Sequence, residues 1–274
     1  MSIVKSDSEF FDLATDLVSL DTPTRISAVS VKDIVVLTQI YYRDRGMNQN
    51  QHVKYIVSKE THEELSTLHA TNAYLSELYN YGYIDYVVSD AVSDRLICTE
   101  NTAIMLPKSS DHPFVRRADD DSRVDTFNHL EEFYDSASVQ HPHGRAYRDL
   151  LDEIAMEYSE PFRDVVSSVF NEYQRQEHQL PAINKPFCSL LVLAAAASES
   201  LLSDVRSLCD EFSVCKSSTV TKTKSVLLEA GLLTEQKRQK GNTRVKVLSL
   251  HPDHDVESIN SAIYDLYTPS SQSA

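Results

Sequence analysis

The sequence contains very little glycine, with five residues in a chain of 274. Average proteins contain about 7% glycine. Loops that hold phosphates depend on glycine, because a residue without a side chain lets the backbone approach the anion closely. Neither glycine-rich phosphate-binding pattern, G-x-G-x-x-G or G-x-x-x-x-G-K, occurs in the chain. The composition therefore argues against nucleotide-driven chemistry.

Long apolar runs and closely paired cysteines are also missing. The longest apolar stretch, 190–197, is far shorter than the roughly 20 residues of a membrane-spanning helix. The N-terminus lacks the charged and then apolar pattern of a secretion signal. The sequence has four cysteines and no C-x-x-C pair, which is typical of core or surface thiols in a reducing compartment: Cys98, Cys188, Cys209 and Cys215. We expect a cytoplasmic protein with no membrane contact, no metal and no cofactor.

Positive charge is scarce overall but is concentrated in one segment. The chain has 26 basic and 41 acidic side chains, for a net charge of −15. An evenly acidic surface would repel nucleic acid. However, residues 216–246 hold eight basic and two acidic side chains, a net charge of +6 in 31 residues, which leaves −21 on the rest. The acid excess also suits a protein that must stay dissolved in a salty cytoplasm.

The first 140 residues alternate extended and helical patterns, which predicts an α/β domain. We expect strands at 53–57 and 83–88, a helix over 63–81 that ends at Gly82, a hairpin of 95–99 with 102–106, and a helix over 124–138. The polar stretch 108–122, with its acidic triplet 119–121, is interpreted as a solvated loop. A second polar stretch over 139–144 indicates a linker, so we place the domain boundary near residue 140.

The sequence pattern of the second half, 141–274, predicts a mostly helical domain. Helices are predicted over 145–158, 161–177, 187–197, 201–212 and 217–230. Gly231 is the expected helix stop, and a β-hairpin with a basic turn follows. A helix, a second helix, a short turn, a third helix and then a basic hairpin is the order of a winged helix-turn-helix. The fold class that the whole sequence predicts is therefore mixed α+β, with an α/β sensor-like domain before a winged helix.

The third helix and the hairpin carry the chemistry expected of a DNA contact. One helix face, formed by Val220, Thr223 and Leu227, should be buried, while the opposite face is small and polar enough to enter a major groove about 12 Å wide. The hairpin over 236–246 would place cations on the phosphates beside that groove. The first turns of the helix have no Arg, Asn or Gln for bidentate base readout. The predicted DNA-binding residues are Lys216, Ser217, Ser218, Thr219, Thr221, Lys222, Lys224, Ser225, Lys237, Arg238, Lys240 and Arg244.

Several stretches carry a family resemblance: 190–197, 216–224 (KSSTVTKTK), 227–233 (LLEAGLL), the basic hairpin and, more weakly, 94–100. Over 145–250 the chain resembles the haloarchaeal TbsP-like transcriptional regulators, a family with a winged helix behind an α/β domain. The resemblance implies a DNA-binding transcriptional regulator with a regulatory N-terminal half. Together with the acid excess, it also implies an archaeal, halophilic source.

The first domain is also similar to the phospholipase D-like sensor domains of some archaeal regulators. Catalysis in that fold requires H-x-K-x-x-x-x-D. His52 and Lys54 begin the pattern, but Lys59 stands where the aspartate is needed and no second copy occurs. We therefore expect a sensor-like domain without catalytic activity.

Histidine pairs are the other candidates for a site. His141 and His143 flank a proline, and His251 and His254 follow the last predicted strand. Neither pair has a neighbouring cysteine or paired carboxylate in the sequence, so the sequence predicts no metal at either place.

A homodimer is expected because one recognition helix reads too few base pairs for useful specificity. The predicted helix over 255–267 is a candidate dimer element, and packing on its own domain is an equal alternative.

These observations favour a non-enzymatic, sequence-specific DNA-binding transcriptional regulator. Its partners would be double-stranded DNA, a second copy of the chain, and a small-molecule or protein effector on the N-terminal domain. The alternative is a protein-interaction module whose winged helix and acidic N-terminal half dock on another regulator.

Overall fold

A computed structural model describes residues 53–89, 137–181, 183–240 and 243–268 without interruption. It also describes the strands at 24–28, 95–99, 103–106 and 116–117 and helical positions within 31–38 and 125–135. The side chains of 237–246 and the acidic triplet 119–121 lie outside the described residues. The chain divides into two compact units, 1–66 with 71–143 and 67–70 with 144–274.

The first unit is built on a seven-stranded mixed sheet in the order β6-β5-β4-β1-β2-β3-β7. Its strands are β1 (Thr24–Ala28), β2 (Val53–Val57), β3 (Ile84–Val88), β4 (Arg95–Thr99), β5 (Ala103–Leu106), β6 (Arg116–Arg117) and β7 (Ser138–Val139). Strands β1, β2 and β3 pair in parallel, whereas β4, β5, β6 and β7 join by antiparallel pairing. The predicted strands at 53–57 and 83–88 and the hairpin after them are confirmed.

The single helix predicted over 63–81 is wrong in one respect, because the chain forms two helices there. They are α1 (Lys59–Leu65) and α2 (His69–Asn80). The Ser66 hydroxyl donates a hydrogen bond of 2.6 Å to the carbonyl of Glu63, and this local bond competes with continuation of the helix. The predicted end is confirmed, since Gly82 adopts a φ of 71°.

One face of the sheet is covered by the helical residues between 125 and 135. Ile56, Val87, Leu96 and Cys98 form a buried cluster with Leu130 of this segment. The helix predicted over 124–138 stops earlier than expected, because Ser138 and Val139 form β7. The sheet and this covering segment make the first unit an α/β body, as the alternating pattern predicted.

The second unit is mostly helical, and its central helix is buried along nearly its whole length. Its elements are α3 (Tyr147–Glu153), a π-helical turn (Ile154–Tyr158), α4 (Glu160–Gln176), α5 (Lys185–Ala197), α6 (Leu202–Glu211), α7 (Ser217–Glu229), β8 (Leu233–Lys240), β9 (Thr243–Leu250) and α8 (Ile259–Tyr267). Every residue from 186 to 196 in α5 is buried. The mixed α+β class is confirmed. Among the described residues, no helix is both long and apolar enough to cross a bilayer.

Helix α8 is shorter than predicted and packs within its own unit. It begins at Ile259 because residues 255–258 form a hydrogen-bonded turn, in which the backbone N–H of Ser258 donates to the Asp255 carboxylate at 2.9 Å. Ile259 and Ile263 are buried, and α8 contacts α4 and α5. The apolar face proposed as a dimer element is therefore used inside the unit.

Candidate nucleic-acid interface

Helices α6 and α7 are joined by a tight turn with a defined backbone conformation. Ser213 has a φ of 54°, in the left-handed region, and the N–H of Val214 donates to the carbonyl of Cys209 at 2.8 Å. This is the Schellman arrangement that ends a helix, here with serine where glycine is usual. Val214 is buried and packs in the core, which stabilises the position of the turn. The turn thus sets the direction in which α7 leaves α6.

Helix α7 has one buried face and one exposed face. Val220, Thr223 and Leu227 are buried, as the sequence predicted, and α7 packs against α5, α6 and β8. Gly231, with a φ of 73°, ends the helix and lets the chain turn into β8. The helix-turn-helix is followed directly by the antiparallel β8–β9 hairpin, which gives the second unit the architecture of a winged helix.

The outer face of α7 presents most of the predicted contact residues to solvent. Five residues of α7 and the residue before it are exposed: Lys216, Ser217, Ser218, Thr221, Lys222 and Ser225. Thr219 is partly buried. Ser218, Lys222 and Ser225 follow one another at the spacing of successive helical turns, so a groove that receives α7 would meet all three.

Lys224 differs from the other predicted contact residues because it already has an anionic partner. Its Nζ lies 2.9 Å from an Oε atom of Glu235 on β8, and both side chains are mostly buried. The pair connects α7 to the first strand of the hairpin. Lys224 is therefore placed to fix the hairpin relative to α7.

Arg206 is a residue of this surface that the sequence reading missed. It lies on α6, and its Nη2 donates to the Thr221 hydroxyl at 3.0 Å. The Thr221 hydroxyl in turn donates to the Ser217 carbonyl at 3.1 Å. The only signal in the sequence is an arginine on the helix before α7, in a segment whose prediction as a helix depended on its apolar face.

The hairpin brings the predicted wing residues onto two paired strands. Lys237 pairs with Lys246, Arg238 with Val245 and Lys240 with Thr243 in the register of β8 and β9. Arg244 lies near the start of β9. The side chains of these residues are outside the described part of the chain, so their contacts with phosphates stay a prediction.

The lysine of the incomplete phospholipase D-like pattern contacts other side chains of the first unit. Lys54, the lysine of the incomplete phospholipase D-like pattern, has its Nζ 2.9 Å from Glu131 and 4.1 Å from the ring centre of Tyr134. His52 is outside the described residues. Lys54 therefore has an anion and an aromatic ring as its neighbours.

The histidine pairs take part in ring contacts. His143 stacks on His62 with ring centres 4.3 Å apart, and the Nδ1 of His62 is 3.0 Å from the Tyr86 hydroxyl. Burial, and then the nearby His143, lower the pKa of His62. In the second pair, the Nδ1 of His251 lies 3.4 Å from a carboxylate oxygen of Asp253.

A cleft of about 410 Å³ lies beside His62 in the first unit. It opens where β2 and β3, two parallel strands, reach their carboxyl ends. Its polar lining includes Lys59, Gln140 and Ser89. Ligands of open α/β sheets commonly bind at the carboxyl ends of strands.

Three of the four cysteines, which are far apart in the sequence, come together in the second unit. Cys188 of α5, Cys209 of α6 and Cys215 of the α6–α7 turn have their Sγ atoms within 4.8 Å of one another. All three are free thiols. Hydrogen bonds with Cys188 and then with Cys209 lower the pKa of Cys215. The sequence reading found no such cluster because spacings of 21 and 6 residues match no usual metal-binding pattern.

Comparison with known proteins identifies a family match for the second half of the chain. No curated protein and no solved structure matches the chain. Residues 143–260 match the family described as "Transcriptional regulator TbsP-like, C-terminal HTH domain". The matched range contains α3 to α7 and the hairpin, and indicates a DNA-binding regulator. The C-terminal unit of this chain is thus similar to the helix-turn-helix domain of the TbsP-like transcriptional regulators.

Proposed function

We propose that this protein is a cytoplasmic, non-enzymatic transcriptional regulator that binds duplex DNA sequence-specifically through α7 and the β8–β9 hairpin. The observation that carries the proposal is the exposed face of Ser218, Lys222 and Ser225, which is followed by a hairpin within the one basic segment of an acidic chain. Helix α7 would lie in the major groove. Residues 236–246 would lie on the neighbouring phosphates, where cations increase affinity without reading sequence.

The test is selection of bound duplexes from a random library, followed by affinity measurements on the enriched sequence and a scrambled one. We expect the enriched duplex to bind at least about 1,000-fold more tightly than the scrambled one. Failure to enrich any sequence, with equal affinity for both duplexes, would overturn specific recognition. Failure to bind any duplex would favour the protein-interaction alternative.

Lys222→Glu is the sharpest variant, because Lys222 is exposed on α7 and is not part of an ion pair among the described residues. The charge reversal should weaken binding of the enriched duplex by at least about 10-fold. Arg175→Glu, an exposed charge reversal at the end of α4, is the matched control and should leave binding unchanged. Equal losses in both variants would show a general charge effect and count against α7.

We further propose that two copies bind one operator, because a single recognition helix reads only a few base pairs. The dimer surface would lie outside the face of α8 that its own unit buries. Light scattering of the chain with and without the enriched duplex tests this proposal. A complex with one chain per duplex, on an operator without repeated half-sites, would overturn it.

The cleft beside His62 is our candidate for an effector site. Lys59, His62 and Gln140 offer a cation and two hydrogen-bonding groups to a small polar anion, and Glu63 adds one carboxylate to the lining. Inorganic phosphate and small carboxylates are the probes, and a rise in the unfolding temperature is the readout. Lys59→Met should remove the rise, whereas Lys185→Met, an exposed lysine of the other unit, should keep it. No rise with the unaltered chain would overturn this assignment.

We also propose a halophilic archaeal origin, because the chain has a large excess of acidic residues. A halophilic archaeal protein must bind DNA where the Debye length is only about 3 Å at molar salt. Long-range attraction contributes little there, so groove fit and hydrogen bonds from α7 would carry most of the affinity.

A further inference from the structure

The three-cysteine cluster joins the elements that form the helix-turn-helix. Cys188 lies in the buried central helix α5, Cys209 in the last turn of α6, and Cys215 two residues before α7 begins. Cys188 and Cys209 are buried, while Cys215 is partly exposed. Any bond that connected the three sulfur atoms would therefore hold α5, α6 and the start of α7 together.

The sulfur atoms are close to the spacing of a metal site. In a tetrahedral zinc–thiolate centre each Zn–S bond is about 2.3 Å long, which puts the sulfur atoms about 3.8 Å apart. The Sγ atoms of Cys188, Cys209 and Cys215 all lie within 4.8 Å of one another without being bonded. A movement of each sulfur by less than about 1 Å would bring the cluster to ligand geometry.

A buried hydroxyl lies next to the cluster, and the neutral thiols there are poor hydrogen-bond acceptors for it. Thr223 of α7 is 1% exposed, and the nearest acceptor for its hydroxyl is the Cys188 sulfur, which as a neutral thiol accepts hydrogen bonds only weakly. The hydroxyl lies beside the Cys188 sulfur. A metal-bound thiolate is a stronger acceptor than a thiol, so ligation of Cys188 would give this hydroxyl a partner, as surrounding groups commonly do for metal ligands.

His69 is the candidate for a fourth donor to the cluster. Residues 67–70 belong to the second unit. The His69 ring stacks on Phe187, and its Nε2 lies 3.2 Å from the Oδ1 of Asn184. An amide oxygen only accepts, so Nε2 carries the proton and Nδ1 keeps its lone pair. His69 also interacts electrostatically with Cys215. Metal-bound histidines are commonly oriented in this way, by a hydrogen bond from the other ring nitrogen.

We propose that Cys188, Cys209 and Cys215 are thiolate ligands of a structural Zn²⁺ ion, with His69 as the fourth ligand, and that the ion clamps the turn between α6 and α7. Binding displaces the three thiol protons into solvent, and no bond to carbon changes. Thiolate and imidazole donors suit zinc, whereas carboxylate sites suit magnesium or calcium. The proposal concerns the stability of the second unit and does not depend on which DNA sequence the protein binds.

The test is titration of the reduced, metal-free full chain with Co²⁺, whose thiolate charge-transfer and visible bands report a tetrahedral site. We expect one Co²⁺ per chain, a charge-transfer intensity corresponding to three thiolates, and displacement of the cobalt by Zn²⁺, which sites of this type bind more tightly. Zn²⁺ should also raise the unfolding temperature. Absence of stoichiometric Co²⁺ binding, or octahedral bands without charge transfer, would overturn the site.

Variants separate the site from adventitious binding. Cys215→Ser alters the partly exposed ligand, so it should still fold, show two-thiolate intensity and bind at least about 100-fold more weakly. Cys98→Ser changes the one cysteine of the other unit and should bind Co²⁺ like the unaltered chain. Unchanged binding in Cys215→Ser would overturn the site, and unchanged binding in His69→Gln would overturn the fourth ligand alone. If Cys215→Ser does not fold, the thiolate count of the unaltered chain decides.

Discussion

The helix ends beside α7 depend on two residues in the left-handed backbone region. Gly231 has a φ of 73° with open space around its Cα, and Ser213 has a φ of 54°. Both residues close a Schellman-type helix end, at α7 and α6 respectively. The two positions therefore share a backbone conformation but differ in whether a Cβ is present.

Adding a side chain at residue 231 and removing the side chain at residue 213 should change stability in opposite directions. Gly231→Ala meets no steric obstacle, so its cost is the left-handed conformation alone, and we expect a loss of about 1 kcal/mol in the free energy of unfolding. Ser213→Gly relieves the same strain and should stabilise by a smaller amount, because glycine is more flexible when unfolded. Urea unfolding measures both, and a Gly231→Ala protein with the same free energy of unfolding as the unaltered chain would contradict the explanation.

The His62 ring makes the stability of the first unit depend on pH. Burial, and then His143, lower the folded-state pKa of His62 below its usual value of 6.5, while Glu63 opposes the shift. A lowered histidine pKa contributes stability above the unfolded value, and that stability is lost as pH falls through 6.5 towards the folded pKa. We expect the free energy of unfolding to fall between about pH 7.5 and about pH 5.5.

His62→Asn is the variant that checks this pH dependence, because asparagine keeps a polar atom near the Tyr86 hydroxyl but does not titrate. It should flatten the pH profile over that range. His129→Asn, which replaces an exposed histidine of the same unit, should leave the profile as it is. Identical profiles for the His62 variant and the unaltered chain would contradict the assignment.

At the scale of elements, the Lys224–Glu235 ion pair should stabilise the packing of the hairpin against α7. Both side chains are mostly buried and the charged atoms are 2.9 Å apart. A double-mutant cycle with Lys224→Met and Glu235→Gln should give a coupling energy of about 1 kcal/mol, at the upper end for exposed pairs. Chemical unfolding measures the cycle, and a coupling near zero would show that the pair does not stabilise the hairpin.

The same ion pair predicts that removing Lys224 affects DNA affinity less than removing a lysine that contacts a phosphate. Because Lys224 is engaged by Glu235, Lys224→Met should weaken DNA binding less than Lys222→Met does. Lys222 is exposed on the same helix, so the two variants remove the same charge from neighbouring positions. A larger loss for Lys224→Met, measured by fluorescence anisotropy, would mean that Lys224 leaves Glu235 to contact the phosphates.

Most of the elements could be predicted from the sequence, because their signals are local. The continuous apolar run of α5, the apolar face of α6, the stop at Gly231 and the short apolar runs of β2 and β3 each depend on neighbouring residues. The break between α1 and α2 could not be predicted this way, because the Ser66 hydroxyl bond to Glu63 competes with a pattern that otherwise favours one helix.

Some features of the candidate site could likewise be predicted from local sequence, and others could not. The exposed face of α7 followed from helical periodicity, which also placed Thr223 and Leu227 inside. The role of Lys224 depends on Glu235, which is 11 residues away on a strand, and the cysteine cluster joins α5, α6 and the turn after it. Contacts of this kind depend on how the elements pack, and one sequence alone contains no signal for them.

At the scale of the whole molecule, the uneven charge distribution should govern how DNA binds. The segment 216–246 carries +6, whereas the remainder carries −21. At low salt the acidic remainder should repel DNA except where the basic segment meets it, so charge would restrict the orientation of the complex. As salt increases, screening weakens both the attraction and the repulsion over distances beyond the Debye length.

This distribution predicts that specificity increases with salt. Binding to a scrambled duplex depends almost wholly on counterion release, whereas binding to the selected duplex also includes groove contacts from α7. We therefore expect affinity for the scrambled duplex to fall more steeply between about 0.2 M and about 1 M salt. Lys222→Glu should reduce the slope of log affinity against log salt by at least roughly 0.9, the value for one phosphate contact. Equal slopes for both duplexes would mean that α7 adds no salt-independent contact, and would leave the basic segment as a non-specific anchor.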